Sequence, residues 1–306
     1  MARLDQLRLR DLMVLETIAD VGSLHATAAA LHISQPAVSQ IVKGLEAAMG
    51  AALLQRGRRG VSLTAAGAAA LSHLRVARHA LEAAQHAARQ PEAPMLRLGA
   101  LPLAMLELVP RAVARLRRRI PEVRIHMVDG AVDGLWRQLR EGRLDAIVGR
   151  FPLAADRRDL PQTMHCQPIA REDLVLVAPA RHAVTRLRTP SLQALAAQAW
   201  VLPPENSFTR RAFDVRFLEA GLAPPEPALV CSAFHGGLHL AAANALLTVA
   251  PRSAVTRYAP ALDLKIIRLP WPDQDSDVVF ACRRAGLVVP ALAALRDSFQ
   301  SRAPAP

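Results

Sequence analysis

Cysteine is scarce in this chain of 306 residues: Cys166, Cys231 and Cys282 stand 65 and 51 residues apart. That spacing excludes a CxxC redox motif, a zinc-type arrangement and an even disulfide framework, so the thiols read as reduced and mostly buried. Long apolar runs are also missing. No stretch reaches the roughly 20 residues a bilayer span requires, and the best, from Leu238 to Ala250, is broken by Asn244. At the amino end Asp5, Arg8, Arg10 and Asp11 interrupt what would be the core of a signal peptide, and no small-residue cleavage site follows, which points to the cytoplasm. There is no GxSxG, no Walker A, no GxGxxG after a strand and no HExxH, so neither an enzyme nor a cofactor is expected. Acidic residues are the minority: 26 against 38 Lys plus Arg leaves +12, a balance suited to a polyanionic partner, with nucleic acid foremost. The excess divides as +4 before residue 91 and +8 after it, so charge alone does not locate a DNA site.

What is present is hydrophobic material, 52% of the chain, enough for about two packed domains. Up to residue 90 the apolar positions recur at helical spacing, as in Leu9, Leu12, Leu15 and Ile18, then Val38, Ile41, Leu45 and Met49. This part reads as helical apart from a short Gly/Arg turn. The polar, proline-bearing segment 88–95 reads as a linker. Beyond it, strand-like runs at 96–100, 123–128, 144–149, 173–178, 199–202, 228–231, 245–250, 264–269 and 277–282 alternate with helical candidates at 104–119, 132–141, 209–220 and 236–243. Alternation of this kind is α/β, and several runs are continuously apolar, as strands covered on both faces should be. No internal repeat or low-complexity tract appears beyond the closing APAP.

The densest information lies between Gly22 and Gly67. Ser23 can cap a short helix with small Ala26, Ala28 and Ala29; His32 and Ile33 turn the chain; Ser34 can cap a second helix with Pro36 in its first turn, ending at Gly50. On a helical wheel Val38, Ile41, Val42, Leu45 and Met49 share one face, and Pro36, Ser39, Gln40, Lys43 and Ala47 the other. The second face suits a major groove. Gln40 can pair with adenine, Ser39 with a base or phosphate, Gln35 beside the capping Ser34 with a neighbouring base or phosphate, and Lys43 can neutralise a phosphate. Next, LLQRGRRGVSLT brings Arg56, Arg58 and Arg59 onto a Gly-flanked hairpin fitted to backbone or minor-groove contact. A winged helix-turn-helix is expected over 1–64. Thr64 would cap a long helix over 65–90, striped by Leu71, Leu74, Ala77, Leu81 and Ala84, which needs a partner face, its own domain or a second copy.

The stretch GSLHATAAALHISQPAVSQIVKGLEAAMGAALLQRGRRGVSLTAAG resembles the amino-terminal signature of LysR-type transcriptional regulators, with its Gly-Ser, Ala-Ala, Ser-Gln-Pro-Ala-Val-Ser, Leu-Glu, Gly, Arg and Leu-Thr-x-x-Gly landmarks in order. Leu54 departs from it, standing where the family more often has Phe. The resemblance implies a long linker helix that pairs with its copy, a hinge, and over 91–306 an effector domain of two Rossmann-like lobes like those of periplasmic solute-binding proteins. It also implies homodimers joined into homotetramers, contact with promoter DNA and RNA polymerase, and a small-molecule effector held between the lobes.

Strand order then marks 100–103, 129–132, 150–152, 203–209 and 232–236 as cleft segments, at strand carboxyl ends and helix amino ends where anions are favoured. Arg150 can clamp a carboxylate or, alternatively, pair with Asp129 or Asp133. Ser207, Thr209, Ser232 and the nearby His235 are polar candidates, while Phe151, Phe208 and Phe234 can stack on a ring or belong to the core. An aromatic or other organic acid fits this set. Many relatives carry Ser or Thr in the first segment; here it reads Ala100, Leu101, Pro102 and Leu103, which removes the usual hydrogen bond. The stretch from Gly99 to Val113 is similar to regulators of aromatic-acid or sugar catabolism. His235 and His239 stand four apart without a third ligand nearby, so no metal is expected. The resulting expectation is an effector-gated, sequence-specific regulator; its rivals are a ligand-independent DNA-binding protein with a closed cleft and a solute-binding component.

Overall fold

The computed structural model describes residues 7–57, 60–89, 93–151, 161–269 and 277–300, and the chain divides into two compact units, one of residues 1–95 with 137–144, the other of 96–136 with 145–306.

In the first unit, α1 (Leu9–Val21), α2 (Leu24–Ala30) and α3 (Gln35–Met49) pack around Val14, Ile18, Ala28, Val38 and Val42. Ser23 caps α2 by accepting the Ala26 N–H, and its backbone carbonyl receives the Thr27 hydroxyl at 2.8 Å, so that polar side chain is satisfied within the core. His32 turns the chain in the left-handed region at φ 53°. A two-stranded hairpin follows, β1 (Leu54–Gly57) antiparallel to β2 (Gly60–Leu63), and leads into α4 (Ala65–Arg89). Thr64 holds that junction with both ends of its hydroxyl, donating to the Ala52 carbonyl at 2.7 Å and accepting from Gly67 N–H at 2.9 Å. Gly67 is required there because a Cβ would stand 2.0 Å from the Leu53 carbonyl oxygen. Gly60 at φ +113° is equally constrained, its missing Cβ leaving room for the Gly22 carbonyl. The mostly buried Arg75 of α4 ties back to Glu16 of α1 at 2.8 Å. Leu71 and Leu74 of the stripe join the core, whereas Leu81 is 57% exposed and Ala77 and Ala84 are exposed as well.

The second unit holds two five-stranded sheets. The first has the order β4 (Arg124–Asp129), β3 (Met95–Ala100), β5 (Ala146–Gly149), β12 (Asp277–Arg283) and β6 (Met164–Arg171). The second has β11 (Leu264–Ile266), β7 (Leu174–Pro179), β10 (Leu247–Pro251), β8 (Trp200–Leu202) and β9 (Leu229–Val230). Around them stand α5 (Leu108–Arg119), α6 (Val132–Arg140), whose first residues belong to this unit, α7 (Leu192–Ala196), α8 (Phe208–Glu219), α9 (Phe234–Asn244), α10 (Arg252–Leu262) and α11 (Pro290–Gln300). The continuously apolar strands are covered on both faces: Leu174, Leu176 and Ala178 of β7 enter a core with Trp200, Phe213 and Phe217, while Val175 and Val177 enter another with Leu238, Val255 and Ala259.

Four elements differ from expectation. The helix expected over 104–119 is a 3-10 turn, Ala104–Leu106, then α5; the chain breaks at Glu107 (φ −148°, ψ −50°), and Pro110 falls within the first turn, where its missing N–H costs nothing. β6 was not expected, since Pro168 and its polar neighbours mask an edge strand that pairs with β12 through a register shift. α10 and α11 were also missed, carrying proline inside (Pro260) or at the start (Pro290).

Candidate nucleic-acid interface and effector cleft

In α3 the Ser34 hydroxyl accepts the Ala37 N–H at 3.3 Å, Pro36 lies in the first turn, and Gly50 ends the helix at φ 66°. Burial of Val38, Val42, Leu45 and Ala48 fixes the rotation of the helix. Ser34, Gln35, Pro36, Gln40 and Lys43 are thereby left exposed, and Ser39 half-buried. The exposed row combines an amide able to pair bidentately with adenine and an ammonium one turn on for the backbone. Sequence reasoning overlooked the role of Glu46, whose carboxylate accepts the N–H groups of Leu53 (2.8 Å) and Leu54 (3.2 Å) and so pins the start of the wing to α3. Its Leu-Glu landmark was the available signal. Arg56 has its backbone in β1, but its side chain, and all of Arg58 and Arg59, lie outside the described residues.

In the second unit, Arg150 follows β5 directly and is only 3% exposed. Its guanidinium lies over the Phe208 ring at 4.6 Å, at the start of α8, and Nη2 donates to the Glu172 carbonyl at 2.6 Å in the crossing between β6 and β7. It therefore sits where the two sheets meet. Neither alternative partner takes it: Asp133 is met by Arg211 at 3.8 Å, and among the described residues no carboxylate forms an ion pair with Arg150. Its Nε is buried without a partner. Desolvation lowers its pKa to about 10 against the opposing pull of Glu172 and Asp173, so the group is still a cation at neutral pH. A buried, charged guanidinium with an unfilled donor is a ready anion receptor.

The surroundings divide into what is held and what is open. Trp136 donates its indole N–H to the Arg150 carbonyl at 2.8 Å and stacks on Phe151 at 5.7 Å, orienting the segment. Leu101 N–H donates to the Val148 carbonyl, tying 100–103 to β5, with Ala100 and Leu101 buried, Leu103 half-buried and Pro102 exposed. Ser207 caps α8 by accepting the Arg210 N–H, which leaves its proton free to donate; Thr209 is half-buried beside it. Phe234 meets His235 and Tyr258 at 5.6 and 6.4 Å, and Ser232 is exposed. Glu172, which meets Arg150 through its backbone carbonyl, was not anticipated, nor was Ser253, whose N–H donates to the Glu172 carboxylate at 2.9 Å and whose hydroxyl is buried without a partner. They are 81 positions apart and meet because β7 and β10 pair antiparallel, Leu174 opposite Pro251. No sequence spacing carries that.

The thiols offer no comparable site. Cys282 is fully buried, and desolvation pushes it up to about 11 despite Arg283, Arg296 and Arg284. Among the described residues no group of three His, Cys, Asp or Glu gathers to hold a metal ion, and no helix is long and apolar enough to cross a membrane.

Comparison with known proteins gives two family matches, the bacterial regulatory helix-turn-helix protein of the lysR family over residues 9–68 and the LysR substrate binding domain over residues 89–304. The regulator GbpR of Rhizobium radiobacter is 31% identical over 220 residues, covering 70% of this chain and 71% of that protein. The GbpR of Azospirillum brasilense is 27% identical, covering 83% and 75%. Among solved structures, a full-length OxyR from Pseudomonas aeruginosa superposes with a TM-score of 0.62 at 24% identity, covering 97% and 95%, a likeness of fold.

Proposed function

Given that the chain belongs to the LysR-type transcriptional regulators, a helix-turn-helix joined to an effector-binding domain, we propose that its effector is an organic anion bound at Arg150 between the two sheets. The observation that carries this is the buried guanidinium with no ion-pair partner and an unfilled Nε donor. An aromatic acid fits best, its carboxylate on Arg150 and its ring among Phe151, Phe208 and Phe234, with Ser207, Thr209, Ser232 and His235 as polar contacts and 100–103 as an apolar wall. In this reading residues 1–64 bind promoter DNA through Ser34, Gln35, Pro36, Ser39, Gln40 and Lys43, helped by Arg56, Arg58 and Arg59. Residues 65–90 pair with a second copy, a role favoured by the exposure of Leu81, and 91–306 sense the effector and join dimers into tetramers. The protein acts on RNA polymerase at its promoter, in the cytoplasm, and is not an enzyme. Effector binding regulates only if it favours one arrangement of the DNA-reading units over another.

Thermal unfolding of the full chain against aromatic acids, aliphatic acids, sugars and amino acids, with Arg150→Met in parallel, tests the proposal. A ligand at about 100 times its dissociation constant stabilises its site by about 2.7 kcal/mol. The expected result is a shift for one anionic class that disappears in the variant. A shift retained by Arg150→Met would overturn the assignment, and a flat panel with promoter binding intact would favour the ligand-independent reading.

A further inference from the structure

The second unit carries an arginine-rich concavity at the end of its first sheet opposite to Arg150. β3 and β5 run parallel, so α5, which follows β3, returns its carboxyl end to the amino-terminal ends of those strands, whereas Arg150 extends from a carboxyl-terminal end. There a cavity of about 230 Å³ is lined by Arg115, Arg118, Arg119, Asp297 and Ser298. Spacing of three and four residues puts the arginines on one face of α5, where like charges repel.

The other groups leave that charge unmatched. Arg115 is anchored through Nη1 to the Ser298 carbonyl at 2.9 Å, while Arg118 and Arg119 are exposed and have no acidic partner among the described residues. Asp297 is already neutralised by Arg296 at 2.7 Å, and the Ser298 hydroxyl is spent on the Ala294 carbonyl at 2.7 Å. Around the cavity, then, stand three arginines against one carboxylate, whose Oδ1 is held by Arg296. From this arrangement we infer that the α5–α11 concavity is a second anion site that takes free phosphate or a small phosphate monoester. Three arginines around one space, the two exposed ones with their guanidinium groups uncommitted, match the near-double charge and three terminal oxygens of a phosphoryl group better than a lone carboxylate, and the volume leaves room for a small alcohol portion. A space of about 230 Å³ takes in a small anion whole, whereas a duplex offers it only single backbone phosphates.

Calorimetric titration of the full chain with inorganic phosphate and with a simple alkyl phosphate, against chloride at equal ionic strength, tests the inference. Wild type should bind one phosphate per chain saturably. R118Q/R119Q, at exposed positions, should weaken binding tenfold or more, and Arg150→Met should leave it unchanged. Phosphate should also slow amide exchange at the last turn of α5 and along α11 in the wild type, a readout independent of any variant. Heat no greater than chloride gives, equal affinity in the double variant, or protection only elsewhere would each overturn it. So would R118Q/R119Q weakening unrelated duplex DNA while phosphate binding is unchanged, because the arginines would then be a DNA surface.

Discussion

At the scale of single residues, several positions are set by one atom. At Gly67 the Leu53 carbonyl occupies the space of a side chain. Gly67→Ala must therefore push the wing away from α4 or distort both; a loss of about 1–3 kcal/mol is expected, measured by denaturant unfolding. His165 on β6 makes the stability of the first sheet sensitive to pH. Its pKa is held below 6.5 by desolvation and by Arg296 and Arg284, against a hydrogen bond that the protonated ring donates to Gln167, and its Nε2 is buried without a partner. The unfolded chain thus takes up this proton first. The contribution of the neutral ring is complete above about 6.5 and declines as pH falls through the lower folded value. His165→Gln should flatten the slope of melting temperature against pH below 6.5, and an unchanged slope would rule His165 out as its source.

At the scale of elements, α3 separates base reading from backbone attraction. Gln40→Ala should relax base preference by about 1–3 kcal/mol at one position, whereas Lys43→Ala should weaken binding to all sequences and lower the salt dependence by about one ion; parallel titrations on specific and unrelated duplexes distinguish them. The same scale shows what was legible. Helix caps at Ser23, Ser34 and Thr64, the exposed row of α3 and the apolar strands of both sheets were readable because local periodicity and capping chemistry determine them. β6, α10 and α11 were not, because Pro168, Pro260 and Pro290 are tolerated only by an edge, a covering helix and a first turn that tertiary structure provides. Arg150 could be singled out from its place after a strand. Glu172 and Ser253 could not, as only the antiparallel pairing of β7 with β10 brings them to each other.

At the scale of the whole molecule, the order of the chain and the order of the sheets disagree. The second sheet is assembled from one continuous stretch, β7 to β11, but the first cannot close until β12 inserts between β5 and β6. The ribosome therefore releases the parts in an order the finished fold conceals. A released chain truncated after β11 should already protect the second sheet from a protease while the first stays open, and pulse proteolysis of a series of truncated chains would show the two becoming resistant at different lengths. If both became resistant together, synthesis order would not govern assembly. During that interval β5 and β6 stand apart, each with backbone groups exposed to any passing strand. A ribosome stalled just short of β12 would then make a half-built sheet that is open to chaperones and to other unfinished copies of the same chain.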